Sequence, residues 1–180
     1  MLQPISVAPG MFVCRPALDA FAPVIETLAN SEWSAASIHH HDRGAIVDHE
    51  YRNASVVGPI ANRAAIDAFD ERARDIFFPF FKTIGPFHNL RIDGSQFVRY
   101  PTGGFFKAHR DAGNKYKNRC FTILCYLSEC GGGETEFPEI GVSIKPEVGL
   151  WIAFFSEYLH QGSFVTAGEK LIFVTWAVGK

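Results

Sequence analysis

The stretch Phe105-Phe106-Lys107-Ala108-His109-Arg110-Asp111 is an apolar, strand-like run that ends on a histidine and passes an aspartate to the loop beyond. In an extended strand, residues i and i+2 face the same side, so His109 and Asp111 can converge on one point. Around this run lie segments 90–100, 105–110, 119–127, 142–145, 149–155 and 170–178, all short and rich in Val, Ile, Phe, Tyr and Trp. Turn signals separate them at Pro101-Thr102-Gly103-Gly104, from Asp111 to Asn118, and at Gly131-Gly132-Gly133. Strands punctuated in this way predict an all-β sandwich or barrel.

The period differs before residue 88. Leu18, Phe21, Ile25 and Leu28 recur at helical spacing behind Pro16, which predicts an amphipathic helix over 17–30. A second helix is expected from Asn62 to about Phe81, with Ile66, Phe69, Ala73, Ile76 and Phe80 on its buried face. Pro79 disturbs its last turn and Gly85-Pro86 stops it. The expected fold class is α+β with a mainly β core. It is a double-stranded β-helix (a jelly roll, cupin-like) with N-terminal supporting helices. One domain of residues 1–180 is expected, with 1–87 as helical support and entrance segments and 88–180 as the core.

Bulk properties narrow the function classes. With 180 residues, 47% hydrophobic and 17 phenylalanines, the chain can bury a large, ring-rich interior. Its net charge of -2 shows no basic excess and argues against a dedicated nucleic-acid binder. No apolar run approaches a membrane span, and the start Met1-Leu2-Gln3-Pro4 lacks the charged and hydrophobic regions of a secretory signal. Cys14, Cys120, Cys125 and Cys130 form no CxxC pair, and odd spacing puts Cys120 and Cys125 on opposite faces of a strand. Reduced thiols in a cytoplasmic protein are the expectation.

The metal-ligating pattern occurs twice. His40-His41-Asp42 has the same spacing as His109-Arg110-Asp111, so spacing alone is weak. Context separates them. His39 to Arg43 is a polar run read as a solvated loop or lid without a flanking strand, and His88 lies in a loop beside Gly85-Pro86. His160, by contrast, follows the buried-looking run Leu150 to Phe155, and ligands carried on strands suit a preorganised site. Two imidazoles and a carboxylate are the donor set of a facial triad for non-haem Fe(II). Gly162 and Gly168 frame a hairpin-like return, expected to place Lys170 on the strand after His160 and deeper in the barrel. Alone, Lys170 reads as an exposed strand lysine. With Tyr100, Tyr126 and Thr135 as hydroxyl partners, it becomes an anion site, since a buried ammonium needs a counter-charge.

Residues 97 to 180 resemble the prolyl-4-hydroxylase-like branch of the Fe(II)/2-oxoglutarate-dependent dioxygenases. The matching features are Phe97-Val98-Arg99-Tyr100, Gly103-Gly104, Phe106, His109-Arg110-Asp111 and Arg119 through Leu127. They continue with Gly132 through Phe137, Pro146, Gly149, His160-Gln161-Gly162, and Gly168-Glu169-Lys170 to Trp176. Arg52-Asn53-Ala54-Ser55 looks like a family strand near the site entrance. The resemblance implies that His109, Asp111 and His160 ligate iron and that Lys170 pairs with the C5 carboxylate of 2-oxoglutarate. Tyr100, Tyr126, Thr135 and Trp176 would line the cosubstrate pocket. Arg119 and Arg52 would face the substrate, with a surface ion pair as an equal alternative for Arg119.

The activity implied by the resemblance is hydroxylation of an unactivated C–H bond of a small molecule, amino acid or peptidyl residue, with release of succinate and carbon dioxide. Required partners would be Fe(II), 2-oxoglutarate and O2, with ascorbate as an optional further one. Asp111 fills the position that related halogenases leave open for chloride, which favours hydroxylation. Two rival readings stay open. One is zinc hydrolysis on the same triad, and the other is a non-catalytic cupin-like binding or sensing module.

Overall fold

The computed structural model describes residues 3–15, 22–40, 42–60 and 62–179. Its largest sheet is antiparallel and eight-stranded. The order is Ile5–Ala8, Met11–Cys14, Trp151–Phe155, Arg119–Tyr126, Lys170–Val178, Arg91–Tyr100, Ser55–Val57 and Ser34–Ala35. A five-stranded sheet runs Val142–Ile144, Thr135–Phe137, His160–Gly162, Phe105–His109 and Arg52–Asn53. Two hairpin-like pairs complete the fold, Ser37–His40 with Gly44–Val47 and Cys130–Gly132 with Val165–Gly168. This is a jelly roll, as the strand pattern predicts.

Alternation along the central strands of the large sheet divides the interior in two. Phe121, Ile123 and Cys125 with Leu171 and Phe173 point outward to a helix, and Leu124, Tyr126, Ile172, Val174 and Trp176 point inward to the smaller sheet. The outer face is covered by α2 (Arg63–Ile84), whose Ile66, Phe69, Ala73, Phe77 and Phe81 are buried. Its stripe therefore continues at Phe77 and Phe81, while Ile76 and Phe80 flank it half-buried. Steps of four carry the stripe back onto the sheet after Ala73 better than steps of three. The helix also runs through Pro79 to Ile84, because Pro79 lies on the exposed side, where water can satisfy the freed carbonyl. The N-terminal helix α1 spans Ala22–Ala29 and buries Leu28. Pro16, Leu18 and Phe21 lie outside the described residues.

Three expectations need correction. Residues before 88 are not chiefly helical, since Ile5–Ala8 and Met11–Cys14 extend the large sheet along Trp151–Phe155. Gly10, at φ 66°, turns between those two strands, and a Cβ there would lie 2.0 Å from the Phe155 ring. Only glycine fits that approach. His39 and His40 belong to a strand of a hairpin, not to a loop, with Asp42 and Arg43 in its turn and His41 outside the described residues. Finally, an irregular register between Arg119 and Phe121 cancels the alternation there, so Cys120 packs against the same outer cluster as Cys125. No disulfide joins any of the four cysteines. No helix among the described residues is long and apolar enough to cross a membrane.

The α2 interface centres on Phe81, fully buried and stacked on Phe121 with ring centroids 3.8 Å apart. Phe81→Ala is expected to cost about 3–5 kcal/mol in urea unfolding. A loss below about 1 kcal/mol would mean that α2 does not close this face.

Candidate metal centre

His109 is the last residue of its strand and pairs directly with His160 on the neighbouring antiparallel strand. Asp111 lies two residues past the end of the strand, where its backbone N–H and that of Ala112 both donate to the Ser156 carbonyl, at 3.0 and 2.9 Å. One ligand atom from each of the three residues lies within 4.8 Å of the others, the only such His/Cys/Asp/Glu group among the described residues. Of the described residues near the second HxD match, His39 and Asp42 join no such group, and neither does His88.

Each imidazole is aimed by its own strand. His109 Nδ1 lies 2.8 Å from the Lys107 carbonyl and His160 Nδ1 lies 3.0 Å from the Tyr158 carbonyl, in each case two residues back. A carbonyl can only accept, so Nδ1 carries the proton and the Nε2 lone pair is left free. The two Nε2 atoms sit 3.6 and 3.5 Å from the Asp111 oxygens. Phe106 stacks on His109 with centroids 3.6 Å apart, and Phe154 meets His160 edge-on at 4.8 Å. Burial and the neighbouring His160 push the His109 pKa down to about 3, so it stays neutral and able to ligate. Burial alone would raise the Asp111 carboxyl. The two histidines, Thr122 and the Trp176 indole together override burial and hold it below its ordinary value.

Thr122, which the resemblance includes in the run Arg119 through Leu127 but gives no role, donates to Asp111 Oδ2 at 2.7 Å and so fixes the carboxylate. Its signal is alternation, because Thr122 shares an inward face with Leu124 and Tyr126.

Lys170 arrives from the opposite sheet. The chain after His160–Gly162 first turns away to pair Val165–Gly168 with Cys130–Gly132, and only then enters the large sheet with Lys170 opposite Tyr100. The expected strand directly after His160 is thus a different one, but the side chain still reaches back across the cleft. A Cβ on Gly162 would lie 3.8 Å from Lys170 Nζ. Lys170 is 3% exposed, and its ammonium donates only a long 3.4 Å bond to Thr135 Oγ1 and has no ion pair among the described residues. The Tyr100 and Tyr126 rings flank it at 5.4 and 5.5 Å. Tyr126 meanwhile gives its hydroxyl to Thr135 at 2.7 Å, which leaves Thr135 positioned beside Lys170. Burial lowers the Lys170 pKa to about 8, with Cys130 and Glu134 opposing. An isolated buried cation of this kind fits an anionic group in the cleft.

These residues line a cavity of about 810 Å³, along with Trp176, Arg119 and Arg52. Tyr126 stands behind the wall, through Thr135. Arg119 forms no ion pair among the described residues and lies between the Tyr116 and Trp176 rings, at 3.9 and 3.7 Å. Gly94, at φ 71°, permits this, since a Cβ there would press on the Trp176 ring at 2.9 Å. Arg52 lies over Phe106 at 4.5 Å. Two imidazoles and one carboxylate facing an open cleft suit Fe(II) with coordination positions to spare.

Comparison with known proteins agrees. Residues 95–178 match the sequence model of the 2OG-Fe(II) oxygenase superfamily. The chain is 24% identical over 184 residues to prolyl 4-hydroxylase subunit alpha-1 of Rattus norvegicus, covering 88% of this chain and 32% of that one. It therefore spans about a third of that relative's length. The viral collagen prolyl hydroxylase of Paramecium bursaria Chlorella virus-1, solved as a 2OG complex, aligns with a TM-score of 0.61 at 27% identity, over 72% of this chain and 81% of that chain. A Pseudomonas putida prolyl-4-hydroxylase aligns with a TM-score of 0.73 at 20% identity, over 94% of this chain and 93% of that chain, a likeness of fold.

Equilibrium dialysis against Fe(II) without oxygen is expected to give one ion per chain, lost in Asp111→Ala. Thr122→Val keeps the side-chain volume and frees the carboxylate, so affinity is expected to fall about 10–100-fold. Unchanged affinity in Thr122→Val would show that the hydroxyl does not orient the ligand.

Proposed function

We propose that this chain, a prolyl-4-hydroxylase-like 2OG-Fe(II) oxygenase, hydroxylates an aliphatic C–H bond and converts 2-oxoglutarate to succinate and carbon dioxide. The observation that carries the proposal is Lys170, a buried ammonium with no ion pair among the described residues, reaching across the cleft towards the strand of His160. A zinc hydrolase on the same triad would have no use for it.

In this reading His109, Asp111 and His160 hold Fe(II), which with 2-oxoglutarate and O2 supplies an oxidant strong enough for an unactivated C–H bond. The chain's own residues do the remaining work. Lys170 and Thr135 take the far carboxylate of the keto acid, and Tyr126 keeps the Thr135 hydroxyl in place. Tyr100 and Trp176 wall the pocket, while Phe106, Phe137 and Phe154 pack the histidines and keep water from their sides. Fixing orientation and excluding water is the protein's share of the catalysis. The names of the relatives make proline, free or within a peptide, the first acceptor to assay.

Lys170→Ala is expected to weaken 2-oxoglutarate binding at least about 30-fold, or ~2 kcal/mol, and to abolish succinate release. Equal binding by wild type and variant, or hydrolytic activity indifferent to 2-oxoglutarate, would contradict the proposal. The pH dependence has a definite sign. The lowered Lys170 pKa means that the ammonium is present below about pH 8 and lost above it. Apparent 2-oxoglutarate affinity should therefore be flat below pH 8 and fall by up to about tenfold per unit above it. Lys170→Arg should remove this slope even if it binds less well, because a guanidinium stays charged.

A further inference from the structure

The cleft holds more fixed positive charge than the proposed reaction uses. Under that reading Lys170 serves the cosubstrate and Asp111 the metal, and Arg110 is paired with Glu139. Arg43, Arg52 and Arg119 then remain in the lining against Asp48, in a chain of net charge -2. Two of these arginines are built into the walls. Arg52, 7% exposed on the smaller sheet, spends one Nη1 hydrogen on the Ser37 carbonyl at 3.2 Å, and its buried Nε has no hydrogen-bond partner. Arg119, on the large sheet, gives Nη1 to the Asp111 carbonyl at 3.3 Å, and its Nε is likewise buried and unpartnered. Neither meets a carboxylate among the described residues.

Both flank the triad. Arg52 is near enough to His109 to oppose its protonation, and Arg119 bonds the main chain of Asp111. The Arg52 guanidinium lies over the Phe106 ring at 4.5 Å and that of Arg119 over the Tyr116 and Trp176 rings at 3.9 and 3.7 Å, contacts that use the guanidinium carbon and leave further N–H donors for a ligand. Arg52 is buried and Arg119 partly so, and neither has a carboxylate in direct ion-pair contact among the described residues, a costly arrangement of which a neutral peptide backbone would offset little. A carboxylate matches the fork geometry and supplies the missing charge.

We propose that the acceptor substrate carries a carboxylate, held between Arg52 and Arg119 so that a neighbouring carbon lies over the triad. This rests on the hydroxylase reading and names its substrate class. The carboxylate can be that of a free amino or imino acid, or an acidic side chain next to the target residue of a peptide.

The test is calorimetric titration of protein loaded with Mn(II) and saturating 2-oxoglutarate, which occupies the Lys170 subsite beforehand. Two acid–amide pairs serve as probes. One is N-acetyl-L-proline against N-acetyl-L-prolinamide, and the other is a terminally blocked Glu-Pro peptide against its Gln-Pro counterpart. In at least one pair the acid is expected to bind about tenfold or more tighter than the amide. Arg52→Gln and Arg119→Gln should each erase most of that preference. Where a glutamine variant fails to fold, Arg→Met, which keeps the packed stem, takes its place. Preference in the first pair assigns a free carboxylate, and preference in the second an acidic peptide side chain. Equal binding of acid and amide in both pairs, no binding by any acid, or a preference that survives both substitutions overturns the proposal. If wild type takes up no 2-oxoglutarate, the hydroxylase reading falls, while the same titrations on unloaded protein still decide the carboxylate site.

Discussion

The direct pairing of His109 with His160 is the contact on which the site depends. It joins residues 51 positions apart in sequence (160 − 109) on adjacent antiparallel strands, with imidazoles on the same face. A slip of one residue would send His160 to the other side of the sheet, because side chains alternate with period two. Register is therefore the quantity the fold must guarantee. The smaller sheet is too slight to guarantee it alone. The long strands of the larger sheet, buried against α2 on one side and the cleft on the other, supply the rigid frame. Local bonds then finish the work: two main-chain carbonyls orient the imidazoles, Ser156 holds the backbone after the strand, and Thr122 fixes the carboxylate.

The second constraint is electrostatic. Lys170 and Arg119 come from the large sheet, and the triad histidines and Arg52 from the small one, so these groups are brought together only because two sheets close on a shared cleft. Buried cations without partners destabilise a folded chain unless something compensates them. Their place in this cleft fits the anion-binding role proposed for it. Aromatic contacts moderate the cost, with Tyr100 and Tyr126 around Lys170, Phe106 beside Arg52, and Tyr116 and Trp176 around Arg119.

Much of this is legible in the sequence because the central strands are long and apolar. Segments 90–100, 119–127 and 170–178 match Arg91–Tyr100, Arg119–Tyr126 and Lys170–Val178 to within a residue or so. The short strands are harder to read. Met11–Cys14 and Thr135–Phe137 are too brief to show a period, and tertiary pairing, not propensity, makes them strands. Ser37–His40 resembles a loop because its composition is polar, although Asp42-Arg43-Gly44 supplies a turn signal, with Gly44 at φ 72°. Pattern gathers Tyr100, Tyr126 and Thr135 around Lys170, but only Thr135 offers it a hydroxyl while the tyrosines present their rings, and the route by which Lys170 arrives is not legible. The detour through Val165–Gly168 is a pairing with Cys130–Gly132, and no local pattern announces a partner that far away.

The most direct measurement is a crystal structure of the protein with Mn(II) and 2-oxoglutarate. The account predicts the metal at His109, Asp111 and His160, with the keto acid spanning the cleft so that its far carboxylate meets Lys170 and Thr135. Metal bound instead at His40 and Asp42, or a keto acid whose carboxylate lies away from Lys170, would contradict it.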